Sequence, residues 1–315
     1  MTDNSIPEQI LRLKTIFADS PTYKNLETEF HRLLEQRQAE ISAGLVNEAR
    51  GIALIGASGS GKTTAIKRLL GSLKFQKDHE TDKRGEVLSF PVPSPATLKF
   101  VGQTALQTLG YPLRRDKTSQ IIWDMVKDHL RSHEILFLHL DEAQDLSAHQ
   151  TPREKQSVIN TLKSLMQNQQ WPVGMILSGM PELKDMLNHD PQLARRFYPI
   201  AFPSLNAIND SNQVVSTVKY YAKQAKLNVC ENLCNSEFAA RHIHAADGEF
   251  GLMIELTILS IEDALRKQSI NLTINNFSSA FRRRSGCLDA LNPFIANDFE
   301  RLNCRQLLNG SEYHG

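Results

Sequence analysis

The chain has 315 residues, of which 41% are hydrophobic and 23% are charged, the composition of an ordinary globular protein with one large or two modest domains. Its 36 basic and 35 acidic residues leave a formal net charge of only +1, which excludes strong overall attraction to nucleic acid or to a membrane surface. Any DNA binding must come from a local basic patch, or from many subunits acting together.

The first 50 residues are predicted to form a polar helical extension. Four hydrophobic residues recur at helical spacing: Leu26, Phe30, Leu33 and Leu34. This pattern indicates an amphipathic helix that packs on the following domain. Met1–Asn4 lacks the basic and apolar segments of a secretory leader, and no later apolar run approaches membrane-spanning length. We therefore expect a cytoplasmic protein with no membrane partner.

A complete phosphate-loop motif, G-x-x-x-x-G-K-[ST], follows the first predicted strand. Its residues are Gly56, Ala57, Ser58, Gly59, Ser60, Gly61, Lys62 and Thr63. The apolar run Ile52–Ile55 before it is typical of a buried parallel strand, and Thr64–Leu70 after it is predicted to be helical. The glycines aim backbone N–H groups at a bound anion, Lys62 is expected to bind the β- and γ-phosphates, and Thr63 to ligate Mg²⁺. A chance Gly/Ser loop is the alternative, but the order of strand, motif and helix favours nucleotide binding.

A second apolar run, Ile135–Leu140, ends in the acidic pair Asp141 and Glu142. A carboxylate at a strand tip beside a phosphate loop can hold Mg²⁺ through water, which is the role predicted for Asp141. Glu142 is placed to polarise the water that attacks the γ-phosphate. An ordinary strand end with a solvated acidic turn is the alternative, and the phosphate loop upstream favours the functional interpretation.

Strand and helix patterns alternate through the rest of the first two thirds of the chain. The further predicted strands are Glu86–Val92, Trp171–Leu177 and Ile200–Phe202. The predicted helices are Ala96–Leu109, Ile121–Leu130, Thr151–Gln169 and Met180–Leu187. The charged stretch Lys77–Arg84 is predicted to be a solvated loop. This alternation predicts an α/β fold with a parallel five-stranded sheet and ligands at the C-terminal ends of the strands.

Strand signals stop at Ser204, where a helical domain is predicted to begin. Its predicted helices are Gln213–Leu227, Ser236–Ala246, Leu252–Lys267 and Ile274–Arg284. Arg282–Arg284 is either a binding site for DNA or a partner, or a solvated helix end. Asn292–Phe294, in the tail, is either a docking segment or a packed chain end. Reduced thiols are expected for all four cysteines, since no matching His/Cys pair supports zinc: Cys230, Cys234, Cys287 and Cys304.

The order of these parts resembles an AAA+ ATPase, in which a phosphate-loop domain precedes a small C-terminal helical lid. Several strings are similar to the TniB/TnsC group, the transposition-regulator ATPases of DDE transposons and CRISPR-associated transposons. They are Gly56–Thr64, Pro93–Lys99, Leu109–Pro112, Leu140–Gln144 and Asp190–Phe197. The resemblance implies an extension over residues 1–50, a nucleotide-binding α/β subdomain over 51–203, a lid over 204–285 and a tail over 286–315.

The resemblance implies further site residues. Thr64 joins the nucleotide-binding set, and Ser178 holds the sensor-1 position, whose side chain would bind the γ-phosphate or the attacking water. Arg195 and Arg196 stand at the arginine-finger position, with Arg196 favoured because the following Phe197 can anchor the strand; surface salt bridges are the alternative. The lid turn has no sensor-2 arginine, so hydrolysis of ATP to ADP and phosphate is expected to be slow or dependent on a partner.

The resemblance also implies ATP- and Mg²⁺-dependent assembly of homo-oligomers, as rings or helical filaments, on double-stranded DNA. Candidate DNA contacts are Thr97, Lys99, Lys117 and Thr118, each of which could instead be an exposed residue without a specific role. The oligomer would link a transposase to a target-selector protein of the TniQ/TnsD type. The alternative is a protein-binding AAA+ switch in signalling or secretion. A small-molecule kinase is disfavoured, because the acidic pair and the helical lid favour hydrolysis.

Overall fold

The computed structural model describes residues 5–75, 86–148 and 150–308, so the loop predicted at Lys77–Arg84 lies outside the described residues. The chain divides into two compact units. An α/β unit comprises Asp19–Ala57 and Lys62–Phe202, and a helical unit comprises the described parts of Met1–Ala18, Ser58–Gly61 and Pro203–Gly315. The N-terminal extension contributes one helix to each unit. They are α1, Ile6–Thr15, in the helical unit and α2, Pro21–Ser42, in the α/β unit.

The α/β unit is built on a five-stranded sheet in which every neighbouring pair of strands is parallel. The strands are β1 Gly51–Gly56, β2 Val87–Pro91, β3 Phe137–Asp141, β4 Gly174–Gly179 and β5 Phe197–Phe202. Their order across the sheet is β2-β3-β4-β1-β5. The predicted α/β fold with a parallel five-stranded sheet is therefore confirmed. These strands read as apolar runs in the sequence because their residues are buried on both faces of the sheet, most completely in β4.

Among its described residues, the α/β unit has six α-helices in addition to α2. They are α3 Lys62–Phe75, α4 Leu98–Thr108, α5 Ser119–Ser132, α6 Pro152–Met166, α7 Glu182–Asn188 and α8 Pro191–Ala194. Local signals set several of their ends. Thr151 and Glu154 form a capping box with Pro152 at the first helical position, and together these signals start α6 there. The side chain of Asn168 accepts hydrogen bonds from two later backbone N–H groups, which turns the chain soon after α6 ends.

Over residues 203–308, the described C-terminal part of the helical unit, there are five α-helices: α9 Ala207–Gln224, α10 Ser236–Ala245, α11 Phe250–Arg266, α12 Ile274–Ser285 and α13 Cys304–Leu308. Two strands of two residues each, β6 Asn228–Val229 and β7 Asn271–Leu272, form a parallel pair that the sequence did not predict. Strands this short leave no alternating pattern to detect. Within the described residues, none of the helices is long and apolar enough to cross a membrane.

Residues after α12 pack into the core of the helical unit. Phe294 and Leu307 are buried there, and the Asn292 side chain donates a 2.9 Å hydrogen bond to the backbone oxygen of Ser278. The structure thus supports a packed segment at Asn292–Phe294 over a docking segment. All four cysteines are free thiols, and burial raises the pKa of Cys304 to about 12.

The arginine cluster at the end of α12 is neutralised inside the helical unit. Each guanidinium pairs with a different carboxylate: Arg282 with Asp289, Arg283 with Glu262, and Arg284 with Glu255. Surface ion pairs add little to stability, but they cancel the local positive potential. The cluster is therefore a poor candidate for binding DNA, and the solvated helix end is the better interpretation.

Candidate nucleotide-binding site

The phosphate loop joins the end of β1 to the start of α3. Gly59 and Gly61 have φ angles of +86° and +99°, a region that side-chain-bearing residues rarely adopt, so both glycines are required. Lys62 is the first residue of α3 and is buried, and its Nζ donates to the carbonyls of Gly56 and Ala57 at 2.8 and 2.9 Å. These bonds hold the ammonium on the inner side of a loop that precedes a helix N-terminus. That combination of groups binds phosphate well.

The two residues predicted to bind the metal lie next to each other. The Thr63 hydroxyl donates to Asp141 Oδ2 at 3.0 Å, while Asp141 Oδ1 accepts from the Ser178 hydroxyl at 2.6 Å and from the Glu142 N–H at 3.2 Å. Hydroxyl and carboxylate oxygens are the ligands that Mg²⁺ prefers. This donor set therefore fits Mg²⁺.

Glu142 stands at a sharp turn directly after β3. Its backbone is left-handed, with φ 56° and ψ 41°, and its side chain is exposed. The side-chain amide of Gln144 donates to Glu142 Oε2 at 2.8 Å, and its oxygen accepts from the Met180 N–H at 3.0 Å. Gln144 thus ties the Glu142 carboxylate to the end of β4. Gln144 was quoted from the sequence only as the end of the string Leu140–Gln144 and was not predicted to have a role of its own.

Behind Asp141 lies a chain of hydrogen-bonded polar side chains, of which only Ser178 was predicted from the sequence. His139 Nε2 lies 2.8 Å from Ser178 Oγ, and His139 Nδ1 lies 2.8 Å from Ser89 Oγ. Burial lowers the pKa of His139 to about 4 against the opposing effect of the Asp141 charge, so the ring is neutral at neutral pH. The available signal in the sequence was a histidine inside an apolar strand, two residues before Asp141. Side chains two residues apart on a strand point to the same face of the sheet.

The structure separates the two arginines proposed as fingers. Arg196 is only 1% exposed, and its guanidinium pairs with both carboxylate oxygens of Glu48. A guanidinium held in this way is not free at the surface of the chain, so the geometry favours Arg195 over Arg196 as the candidate finger. Arg195 is exposed, and its carbonyl accepts a 3.4 Å hydrogen bond from the exposed Arg50.

Arg195 lies at the opposite edge of the sheet from the phosphate loop. β1 and β5 pair in parallel with Gly51 beside Phe197 and Gly56 beside Phe202. Arg195 precedes β5, whereas the loop follows β1, so about five residues of strand, or roughly 17 Å, separate them. Arg195 is therefore too far away to contact a nucleotide bound to its own chain.

The four predicted DNA-contact residues lie together at the paired N-termini of α4 and α5. Two contacts show that these helices run in the same direction. Near their starts the Trp123 indole donates a hydrogen bond to the Leu98 carbonyl. Near their C-terminal ends Tyr111 stacks on His129 with a 3.8 Å ring separation.

Each of these helices begins at one of the predicted threonines. Thr97 caps α4 and Thr118 caps α5 with their side-chain oxygens. Lys117 is exposed, and Lys99 forms a 2.5 Å ion pair with Asp116. Two helix N-termini with two lysines form a local positive surface, which Asp116 partly offsets.

The sheet and phosphate loop define an AAA+ P-loop fold, and solved structures agree. The chain is similar to Cdc6p from Pyrobaculum aerophilum, with a TM-score of 0.60 and 16% identity over 84% of this chain and 68% of that one. It is also similar to ORC1 of Aeropyrum pernix, solved in complex with DNA, with a TM-score of 0.63 and 14% identity over 88% of this chain and 69% of that one. Identities this low show the fold alone.

The sequence identifies the family more closely. The sequence model of the family described as bacterial TniB protein matches residues 12–207, which is more than half of the chain. The chain therefore belongs to the TniB family. A comparison with curated proteins found no match.

Proposed function

We propose that this protein is an ATPase that assembles on duplex DNA and regulates DNA transposition. The observation that carries the proposal is the placement of Thr63 and Asp141 at one edge of the sheet and of exposed Arg195 at the other. A nucleotide site that requires an arginine from a neighbour makes ATP a part of the subunit interface. Membership of the TniB family supports the role in transposition.

Each site residue has a separate task in the proposed reaction. The loop N–H groups and Lys62 bind the phosphates, and Thr63 and Asp141 would hold Mg²⁺, which would supply positive charge beside the phosphates. Glu142, oriented by Gln144, takes a proton from the attacking water as ATP becomes ADP and phosphate. A neighbour's Arg195 stabilises the charge that develops on the transferred phosphoryl group.

The residues of the lid turn are consistent with hydrolysis that is slow or depends on a partner. Buried Glu249 stands in that turn, and its carboxylate accepts a 2.9 Å hydrogen bond from the Ser204 hydroxyl. No arginine lies in the turn from Asp247 to Glu255. This turn therefore carries no sensor-2 arginine, and we expect a transposase or target-selector protein to stimulate hydrolysis.

DNA binding is proposed at the paired N-termini of α4 and α5. One subunit offers a weak patch, since Asp116 offsets Lys99 and the whole chain has a net charge of +1. An oligomer repeats the patch along the duplex, so phosphate contacts add and counterions are released together. Nucleotide-driven assembly thus converts a weak contact into a strong one.

A subunit-mixing experiment tests the shared site. Glu142→Gln keeps the finger but loses the base, whereas Arg195→Ala keeps the base but loses the finger. Each variant alone is expected to be inactive in steady-state ATP hydrolysis. In an equal random mixture, about one quarter of the subunits combine an intact base with a neighbour's intact finger, so about a quarter of the activity should return. No recovery in mixtures shown to co-assemble would refute a finger supplied by the neighbour.

A salt titration tests DNA binding. With a slowly hydrolysed ATP analogue, the logarithm of the duplex affinity should fall linearly with the logarithm of salt concentration, and Lys117→Ala should reduce the slope by about one per subunit. Lys219→Ala, which removes an exposed lysine of α9, is the matched control and should leave the slope unchanged. Electron microscopy of the same samples should show rings or filaments. Monomers only, with no gain in affinity on adding the analogue, would favour the protein-binding switch.

A further inference from the structure

We propose that His139 is a positioning residue: through Ser178 it fixes the Asp141 carboxylate toward Thr63, and so raises the affinity of the site for Mg²⁺. The inference rests on the proposed function, because it concerns the metal of the same nucleotide site. It also assigns the Ser178 hydroxyl proton to Asp141, whereas the family resemblance assigned that side chain to the phosphate or the attacking water.

The direction of each hydrogen bond in the series that links Ser89, His139, Ser178 and Asp141 follows from counting the available protons. An ionised Asp141 carboxylate only accepts, so the short bond to Ser178 uses the single hydroxyl proton of Ser178. Ser178 Oγ must then accept from His139 Nε2, which places the ring proton on that nitrogen. His139 Nδ1 is left as an acceptor for the hydroxyl of Ser89. The chain of donors therefore points from Ser89 toward Asp141.

The sheet holds these groups in place from both sides. Ser89 of β2 pairs in register with His139 of β3, and β4 on the other side supplies Ser178. His139 is 2% exposed and Ser178 is fully buried. A buried polar group is costly unless it is paired, and here both ring nitrogens have a hydroxyl partner. The burial of His139 among apolar strand residues is thus tolerated only because both of its ring nitrogens are hydrogen-bonded.

The consequence for the metal lies in how the Asp141 carboxylate is held. Its Oδ1 receives the Ser178 hydroxyl and the Glu142 N–H, which fixes the plane of the carboxylate and leaves Oδ2 facing the Thr63 hydroxyl. Partners that orient a ligand in this way are worth about ten- to a hundredfold in metal affinity. We expect His139 to contribute within that range.

The test measures metal affinity apart from catalysis. The probe is a fluorescent ATP derivative, and the readout is the Mg²⁺ concentration that gives half of its Mg²⁺-dependent signal, with an EDTA sample as baseline. His139→Leu should raise this midpoint about ten- to a hundredfold. His139→Gln should stay within a few-fold of wild type, because its amide N–H can replace the donor to Ser178.

His242→Leu is the matched control. His242 is also fully buried and also bonds a hydroxyl through Nε2, that of Thr257 at 2.9 Å, but it lies in the helical unit. This variant should lower the melting temperature without moving the Mg²⁺ midpoint. An unchanged midpoint in His139→Leu, or an equal rise in His242→Leu, would overturn the inference.

A second variant keeps the proposal testable if His139→Leu does not fold. Ser89→Ala retains the ring but removes the donor that fixes its tautomer, so the midpoint should rise several-fold, and no rise would count against the chain of bonds. The proposed function fails separately, when wild-type protein does not bind the nucleotide at any Mg²⁺ concentration.

Discussion

The neighbouring arginines Arg195 and Arg196 are expected to respond in opposite ways to replacement by alanine. Arg196 is buried against Glu48, so Arg196→Ala should reduce stability. Arg195 is exposed, and among the described residues it forms no ion pair, so Arg195→Ala should leave stability nearly unchanged and reduce ATP hydrolysis instead. The two variants would therefore distinguish a structural arginine from the proposed functional one at two adjacent positions.

The size of each effect follows from the contacts. Removing one partner of a buried ion pair costs about 3–5 kcal/mol, because the remaining charge is left without compensation. Since the Glu48 side chain is 37% exposed, solvent can compensate part of that charge, and the lower end of the range is expected. For a unit of this size that loss lowers the melting temperature by roughly 6–12 °C. Arg195→Ala should change stability by less than about 0.5 kcal/mol and reduce turnover about 10³-fold or more.

The assays are thermal unfolding followed by circular dichroism, and single-turnover ATP hydrolysis in the presence of DNA. The pKa of Glu48 is held below its usual value of 4.5 chiefly by its hydrogen bond from Arg196. A lowered carboxyl pKa gives stability that is present above the usual pKa and lost as the pH falls through the lowered one. The stability difference between wild type and Arg196→Ala should therefore shrink in that acidic range. Wild-type stability in Arg196→Ala, combined with lost turnover, would refute this assignment.

Three further substitutions test the nucleotide site. Lys62→Ala should abolish nucleotide binding and assembly together, and tight ATP binding by this variant in calorimetry would contradict the phosphate-loop assignment. Glu142→Gln should bind ATP normally but hydrolyse it about 10²- to 10⁴-fold more slowly and accumulate the assembled state in sedimentation, whereas normal turnover would place the base elsewhere. Gly251→Ala should lower the melting temperature, because its added Cβ would lie 2.6 Å from the Gly59 carbonyl oxygen; a rise would show that the gain in helix propensity outweighs the clash.

The sheet and the phosphate loop were predictable because their signals are local. A short apolar run followed by Gly56–Thr63 specifies strand, loop and helix without reference to the rest of the chain. The proximity of Thr63 to Asp141 could also be predicted, since parallel strands place their C-terminal ends at one edge of the sheet.

Other features depend on which strands become neighbours, and the sequence pattern does not state this. His139 acquires its two hydroxyl partners only because β3 lies between β2 and β4. Arg196 is buried because β5 pairs with β1 and so brings Glu48, 148 positions earlier, beside it. Its neighbour Arg195 looks equivalent in the sequence, but the start of β5 leaves it exposed.

The parallel register of β1 and β5 gives a head-to-tail assembly built through Arg195 a polarity. The arginine and the nucleotide site lie at opposite edges of the sheet, so each subunit can offer its arginine to one neighbour and its nucleotide site to another. An open polymer of this kind has two unlike ends. At one end a nucleotide site lacks the arginine of a neighbour, and at the other end an Arg195 contacts no nucleotide site. On the proposed mechanism, turnover would stop at the first end and continue everywhere else, so the last subunit there would keep its ATP longest. A partner that recognises only that end would bind on one side of the DNA target and not on the other.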